Sequence, residues 1–265
     1  MQKIKKARFL TLIFLILLGL IIWASMGIFS RGFSITSFWG IGIGCTLALI
    51  FAGIMLGRSF GYIKGLATVL AVTLTVSLAL ILNSARGWPF GMAFYHGILG
   101  WKMFGVAWPI PIFWSSIIIG GLMLKKPAKI NSDPKQLFSW AFDSAIITMA
   151  ISFIIEPLAK AILITTWPIQ GAVLGVPFSA FLGWFITGFI ATVIGILILQ
   201  PWKKPAIPPL WILPFAFLSL AVLTLILATK LNLVLIQIFS AILIIVFLLK
   251  TLRLRNHQNL LLIDG

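Results

Sequence analysis

The chain alternates long apolar runs with short polar interruptions. A helix needs about 20 predominantly apolar residues to cross a bilayer. On that measure the pattern predicts spans near 9–29, 37–57, 61–82, 105–124, 138–165, 177–199, 207–229 and 231–249. The expected architecture is all-α: a polytopic membrane helix bundle of about eight transmembrane helices, with residues 1–265 forming a single integral-membrane domain. The first run follows MQKIKKAR, is long, and has no small-residue cleavage site behind it, so it reads as a retained helix rather than a signal peptide. The sizeable polar stretch KKPAKINSDPKQ (125–136) reads as a solvated loop, with Asp133 before Pro134 as a turn residue or helix cap. Gly53, Gly57, Gly61 and Gly65 recur at every fourth position, a spacing that lets helix backbones approach closely inside one bundle.

Composition removes the soluble alternative. Hydrophobic residues make up 61% of the 265 and charged residues 9%, against about 45–50% and about 25% in soluble domains. There are 20 Lys and Arg but only 4 Asp and Glu, a formal net charge of +16. In a soluble protein that imbalance would suggest nucleic acid; here it reports topology, because bases concentrate in cytoplasmic segments. With the amino terminus inside, the inner segments hold Lys3, Lys5, Lys6, Arg8, Arg58, Lys64, Lys125, Lys126, Lys129, Lys135, Lys203, Lys204, Lys250, Arg253 and Arg255. The outer ones hold Arg31, Arg86, Lys102, Lys160 and Lys230. The excess predicts both termini in the cytoplasm, a multi-pass protein of the cell membrane, and no nucleic-acid partner. Cys45 is alone in an apolar run, and His96 and His257 are far apart, so no disulfide framework and no metal site are expected.

Two regions are richer than lipid-facing helices require. Residues 83–114, NSARGWPFGMAFYHGILGWKMFGVAWPIPIFW, hold Arg86, Tyr95, His96 and several tryptophans. Gly87, Pro89 and Gly91 should end a helix there, and Pro109 and Pro111 should disturb the start of the next. Trp88, Tyr95 and Trp101 also suit an aromatic belt at the headgroups. The second region, 141–188, carries Asp143 and Glu156, the two acids that fall within a span. Thirteen residues of helix separate them by about 20 Å along the axis and about 140° around it, so they form no dyad. Asp143 reads as a first-turn acid complementing the helix dipole. Glu156 is deeper, beside Pro157, and two readings stand: a structural ion pair with Lys160 or Arg86, or a chemical group, as intramembrane carboxylates often are. In the eight-span arrangement the loops 83–104 and 166–176 lie on the same side, so that Glu156, Arg86, His96 and the turn at 175–177 can converge.

These segments resemble the carotenoid biosynthesis protein family of integral-membrane proteins, which includes carotenoid 1,2-hydratases and bisanhydrobacterioruberin hydratases. The first is similar to the family's G-x-PFG-x-Y-x-Y…LG…GVP…IP…W stretch through Gly87, Pro89, Phe90, Gly91, Tyr95, Leu99, Gly100, Gly105, Val106, Ile110, Pro111 and Trp114. The second is similar to its acid-Pro pair, Trp, and GVP-x-SNFLGW-x-x-TG through Glu156-Pro157, Trp167, Gly175-Val176-Pro177, Phe181-Leu182-Gly183-Trp184 and Thr187-Gly188. The sequence departs from the pattern at NSAR (83–86), where an acid and a Thr are usual, at Ala180 in place of Asn, and at Ser152 in place of an acid.

The resemblance implies cofactor-independent addition of water across a terminal isoprenoid double bond of an apolar carotenoid or other polyene lipid. Protonating such an alkene needs a carboxylic acid kept neutral in a dry site, and Glu156 is the candidate acid. Aromatic faces stabilise the tertiary cation that results, for which Trp88, Phe90, Tyr95, Trp167 and Trp184 are available. His96, Tyr95 and Ser179 are candidates to hold the attacking water, and Arg86 joins the substrate-binding set. The rival class is a small transporter or a non-enzymatic partner that binds lipid or protein, since broken helices near Glu156 and Arg86 would also serve an ion path. Prenyl transfer is disfavoured by the lack of paired Asp-rich motifs.

Overall fold

A computed structural model of the chain describes residues 19, 35–96, 99–127, 132–203 and 212–263. The first predicted run, 9–29, lies outside the described residues apart from Gly19, as do Arg31, Lys129, Lys204 and Asp264. Seven helices stand among the described residues: α1 (Ile35–Phe60), α2 (Tyr62–Arg86), α3 (Pro109–Leu124), α4 (Pro134–Ala161), α5 (Phe178–Leu199), α6 (Ile212–Lys230) and α7 (Val234–Ile263). Five of them, in α1, α2, α4, α5 and α7, are long and apolar enough to cross a membrane, and two shorter apolar helices accompany them. This is a helical membrane protein.

The helices are inside-out relative to a soluble bundle. On α2 the side chains of Ile63, Leu66, Leu70, Leu74, Leu78 and Leu82 are exposed, while Gly65, Thr68, Val72, Val76, Leu80 and Asn83 are buried on the opposite face. Leucine is at home against lipid tails, so the packing face can admit Gly65, Thr68 and Asn83 beside its valines and Leu80. The same choice marks α5, which buries Ala180, Gly183, Thr187, Gly188, Ala191, Thr192 and Gly195. It packs between α2 and α4, while α6 and α7 form a hairpin against α4.

The glycine run resolves into a corner. Gly61, with φ 102°, is the single residue between α1 and α2. Past it the helices double back so tightly that a Cβ on Gly65 would lie 2.6 Å from the Gly57 backbone nitrogen. The predicted close approach is therefore internal to this chain. Lys64 reaches from the corner to the far end of α5 and donates to Leu199 O at 3.1 Å, serving a carbonyl that the helix end leaves open. Lys126, at the end of α3, sits 5.1 Å from the Phe60 ring, and burial lowers its ammonium to about 8. Basic residues thus collect at the corner end.

Several local expectations change. The prolines at 109 and 111 start α3 rather than disturb it, because a first-turn proline loses no helical hydrogen bond. Helix α4 begins one turn earlier than predicted, with Pro134 in its first turn and Asp133 accepting from Lys135 N at 3.0 Å, which is the cap expected of Asp133. Asp143 consequently falls in the third turn, not the first, and pairs with Lys125 at 3.6 Å instead of serving the dipole. Pro157 does not break α4, which runs on to Ala161.

Candidate functional site

At the end of the bundle away from the corner, the segments 87–108 and 162–177 are stitched together. Strand β1 (Phe94–Tyr95) pairs antiparallel with β4 (Thr165–Thr166), and His96 N–H donates to Ile164 O at 3.0 Å. Between them, β2 (Lys102–Met103) and β3 (Val106–Ala107) form a hairpin whose two central residues, Phe104 and Gly105, both have positive φ. Positive φ at both positions is the turn that matches the twist of paired strands. A similar turn at Val173–Val176 places Leu174 O where the Lys160 ammonium donates to it at 3.2 Å.

Beneath this cover Phe90 is clamped from two sides. Its N–H donates to Asn83 Oδ1 at 3.2 Å, at the end of α2, and its carbonyl accepts from Ser179 Oγ at 3.0 Å, at the start of α5. One turn after Ser179, Gly183 opens the space the Phe90 ring needs: a Cβ there would lie 2.5 Å from Phe90 Cδ1 and 3.0 Å from Pro89 O. The ring rests on Trp184 at a centroid distance of 4.5 Å. Trp114, from α3, stacks on Trp184 at 3.7 Å with the planes 19° apart. An indole buried in this way needs an acceptor for its one N–H. Trp184 Nε1 donates to Glu156 Oε1 at 2.6 Å.

Glu156 is 7% exposed and makes no ion pair among the described residues. Lys160, predicted as a partner, turns to Leu174 O, and Arg86 is exposed at the end of α2. Tyr95 is buried, and its backbone carbonyl accepts from the Lys102 ammonium. Burial, and secondarily the charge Glu156 carries when ionised, raise the Tyr95 phenol above its ordinary value, which keeps it a neutral hydroxyl.

The structure therefore brings together Glu156, Trp184, Phe90 and Ser179, with Tyr95 close enough to feel Glu156. Trp167 is buried immediately after β4. It leaves Arg86, Trp88 (60% exposed) and the His96 side chain outside this buried group. Trp88 and Trp101 are both exposed, as an aromatic belt would have them. Two contributors escaped the candidate set. Trp114 was visible only as the end of a motif, and Asn83 was visible only as a departure from one.

The long apolar helices and the carboxyl–indole pair buried between two of them define an integral-membrane protein with a polar site inside its bundle. Residues 39–251 match the family model described as carotenoid biosynthesis protein, and the chain belongs to that family. No curated protein and no solved structure matches the chain.

Proposed function

We propose that this membrane carotenoid biosynthesis protein adds water to a terminal isoprenoid double bond of its carotenoid substrate, with Glu156 as the acid and no redox cofactor. Glu156, in its carboxylic-acid form, gives its proton to the less substituted alkene carbon, and the tertiary cation forms at the other. Water attacks that carbon, and the proton it sheds returns to Glu156, so the acid is restored after each turnover. The Phe90–Trp184–Trp114 stack supplies the aromatic electrons that stabilise the cation, while Tyr95, Ser179 and, from the loop, His96 are the groups for handling water. The observation that carries the reading is the buried Glu156 carboxyl, held through one oxygen by Trp184 Nε1 and lacking a cationic partner among the described residues. A neutral donor orients the acid without supplying a counter-charge, which leaves the second oxygen for the exchangeable proton.

The same reading takes the protein as an eight-span protein of the cell membrane with both termini in the cytoplasm. The gathering of Lys64, Lys125 and Lys126 at the end remote from Glu156 supports that orientation. Expression in a host that makes acyclic carotenoids, with pigments resolved by mass, tests the chemistry. The expected result is a new pigment heavier by one water; a pigment profile identical to the empty host would remove the hydratase reading.

A further inference from the structure

Three buried side-chain atoms among the described residues lack a hydrogen-bond partner: Thr73 Oγ1, Asn83 Nδ2 and Trp167 Nε1. Asn83 is fully buried and is bonded to the clamped Phe90 of the candidate site, because its Oδ1 accepts the Phe90 N–H. That bond also settles which way the amide faces. An oxygen must meet Phe90 N–H, so the remaining atom is the NH2 group, a donor that cannot accept. A buried donor without an acceptor is costly, and native structures keep few of them without a reason.

We propose that Asn83 Nδ2 binds the oxygen of the water that is added to the alkene and, after addition, the product hydroxyl. The inference rests on the hydration reading above. A hydrocarbon alkene has no hydrogen-bond acceptor, so in that reaction the oxygen available to Nδ2 belongs to water. Donation from Nδ2 occupies one lone pair of the water, and the second attacks the cation. The C–O bond forms as the π pair, already spent on the new C–H bond, leaves the carbon empty, and the surplus proton of the oxonium goes to the Glu156 carboxylate. Asn83 is thus a water-binding residue, distinct from the acid.

The two roles separate in D2O. A cation that water fails to capture loses a proton and returns to alkene, carrying deuterium at the carbon that Glu156 protonated. The purified chain in detergent is given an acyclic carotenoid in D2O, and mass spectrometry reads hydrated product against deuterium in the recovered alkene. This ratio does not depend on how much protein folds. In Asn83→Leu, which has similar bulk but neither the donor nor the acceptor that meets Phe90 N–H, the ratio of hydration to exchange should fall by about tenfold or more, with exchange persisting. In Asn83→Ala, which leaves room for a loosely held water, it should fall less. A ratio within twofold of native in both variants, or exchange that falls in step with hydration, would overturn the role of Asn83. A native chain that yields neither hydrated nor deuterated pigment would instead remove the hydration reading itself.

Discussion

Helix α4 carries two carboxyls, one in its third turn and one near its carboxyl-terminal end, and they sit in opposite surroundings. Asp143 is half-exposed, with its side chain at 46%, and meets the full positive charge of Lys125 at 3.6 Å. Glu156 is buried and meets an uncharged indole N–H at 2.6 Å. Exposed ion pairs of the first kind contribute roughly 0–1 kcal/mol and are screened by salt. A buried carboxyl of the second kind is costly to retain, since its hydration is lost and no counter-charge replaces it. The contrast teaches that the partner, more than the acid, separates a structural carboxyl from a chemical one. A cation fixes the charge of its neighbour, whereas a neutral donor fixes only its position.

That contrast can be broken or sharpened by substitution. The largest effect should come from Glu156→Gln, which keeps the shape and an acceptor for Trp184 but has no acidic proton. Hydrated pigment should fall by at least about 100-fold, the range seen for loss of a general acid, while the protein still accumulates in the membrane fraction; retained hydration would return Glu156 to a structural role. Trp184→Phe should come next. It preserves the aromatic stack and strands Glu156 Oε1, so turnover should drop by about tenfold and thermal unfolding in detergent should show a loss of about 1–3 kcal/mol. Gly183→Ala forces a methyl against Phe90 and Pro89 and should cost about 1–3 kcal/mol by the same melt, as overpacking does. The smallest effect belongs to Asp143→Asn: stability within about 1 kcal/mol of native and an unchanged pigment profile. A strong effect on pigment there would erase the distinction between the two acids of α4.

Much of the architecture was legible because lipid imposes a simple code. The 20-residue runs marked the helices, and the GVP and FLGW motifs marked the start of α5. The misplacements have specific causes. Pattern alone has Pro109 and Pro111 disturbing the start of a helix, but at a first turn proline costs no helical bond. Glu156 stood out by depth alone, yet its partner did not. Lys160 is one turn away in sequence, whereas Trp184 lies on another helix, and an indole donor leaves no mark in a charge pattern. Asn83 was legible only as a missing acid; the bond it makes to Phe90 depends on the chain folding back seven residues later.

The single-residue corner at Gly61 also limits how α1 and α2 can move. With no chain to spare between them, a tilt at one helix end passes directly to the other, so the two respond to strain as one body at that end. Lengthening the corner would uncouple them, so Gly61 transmits motion as well as fixing the packing.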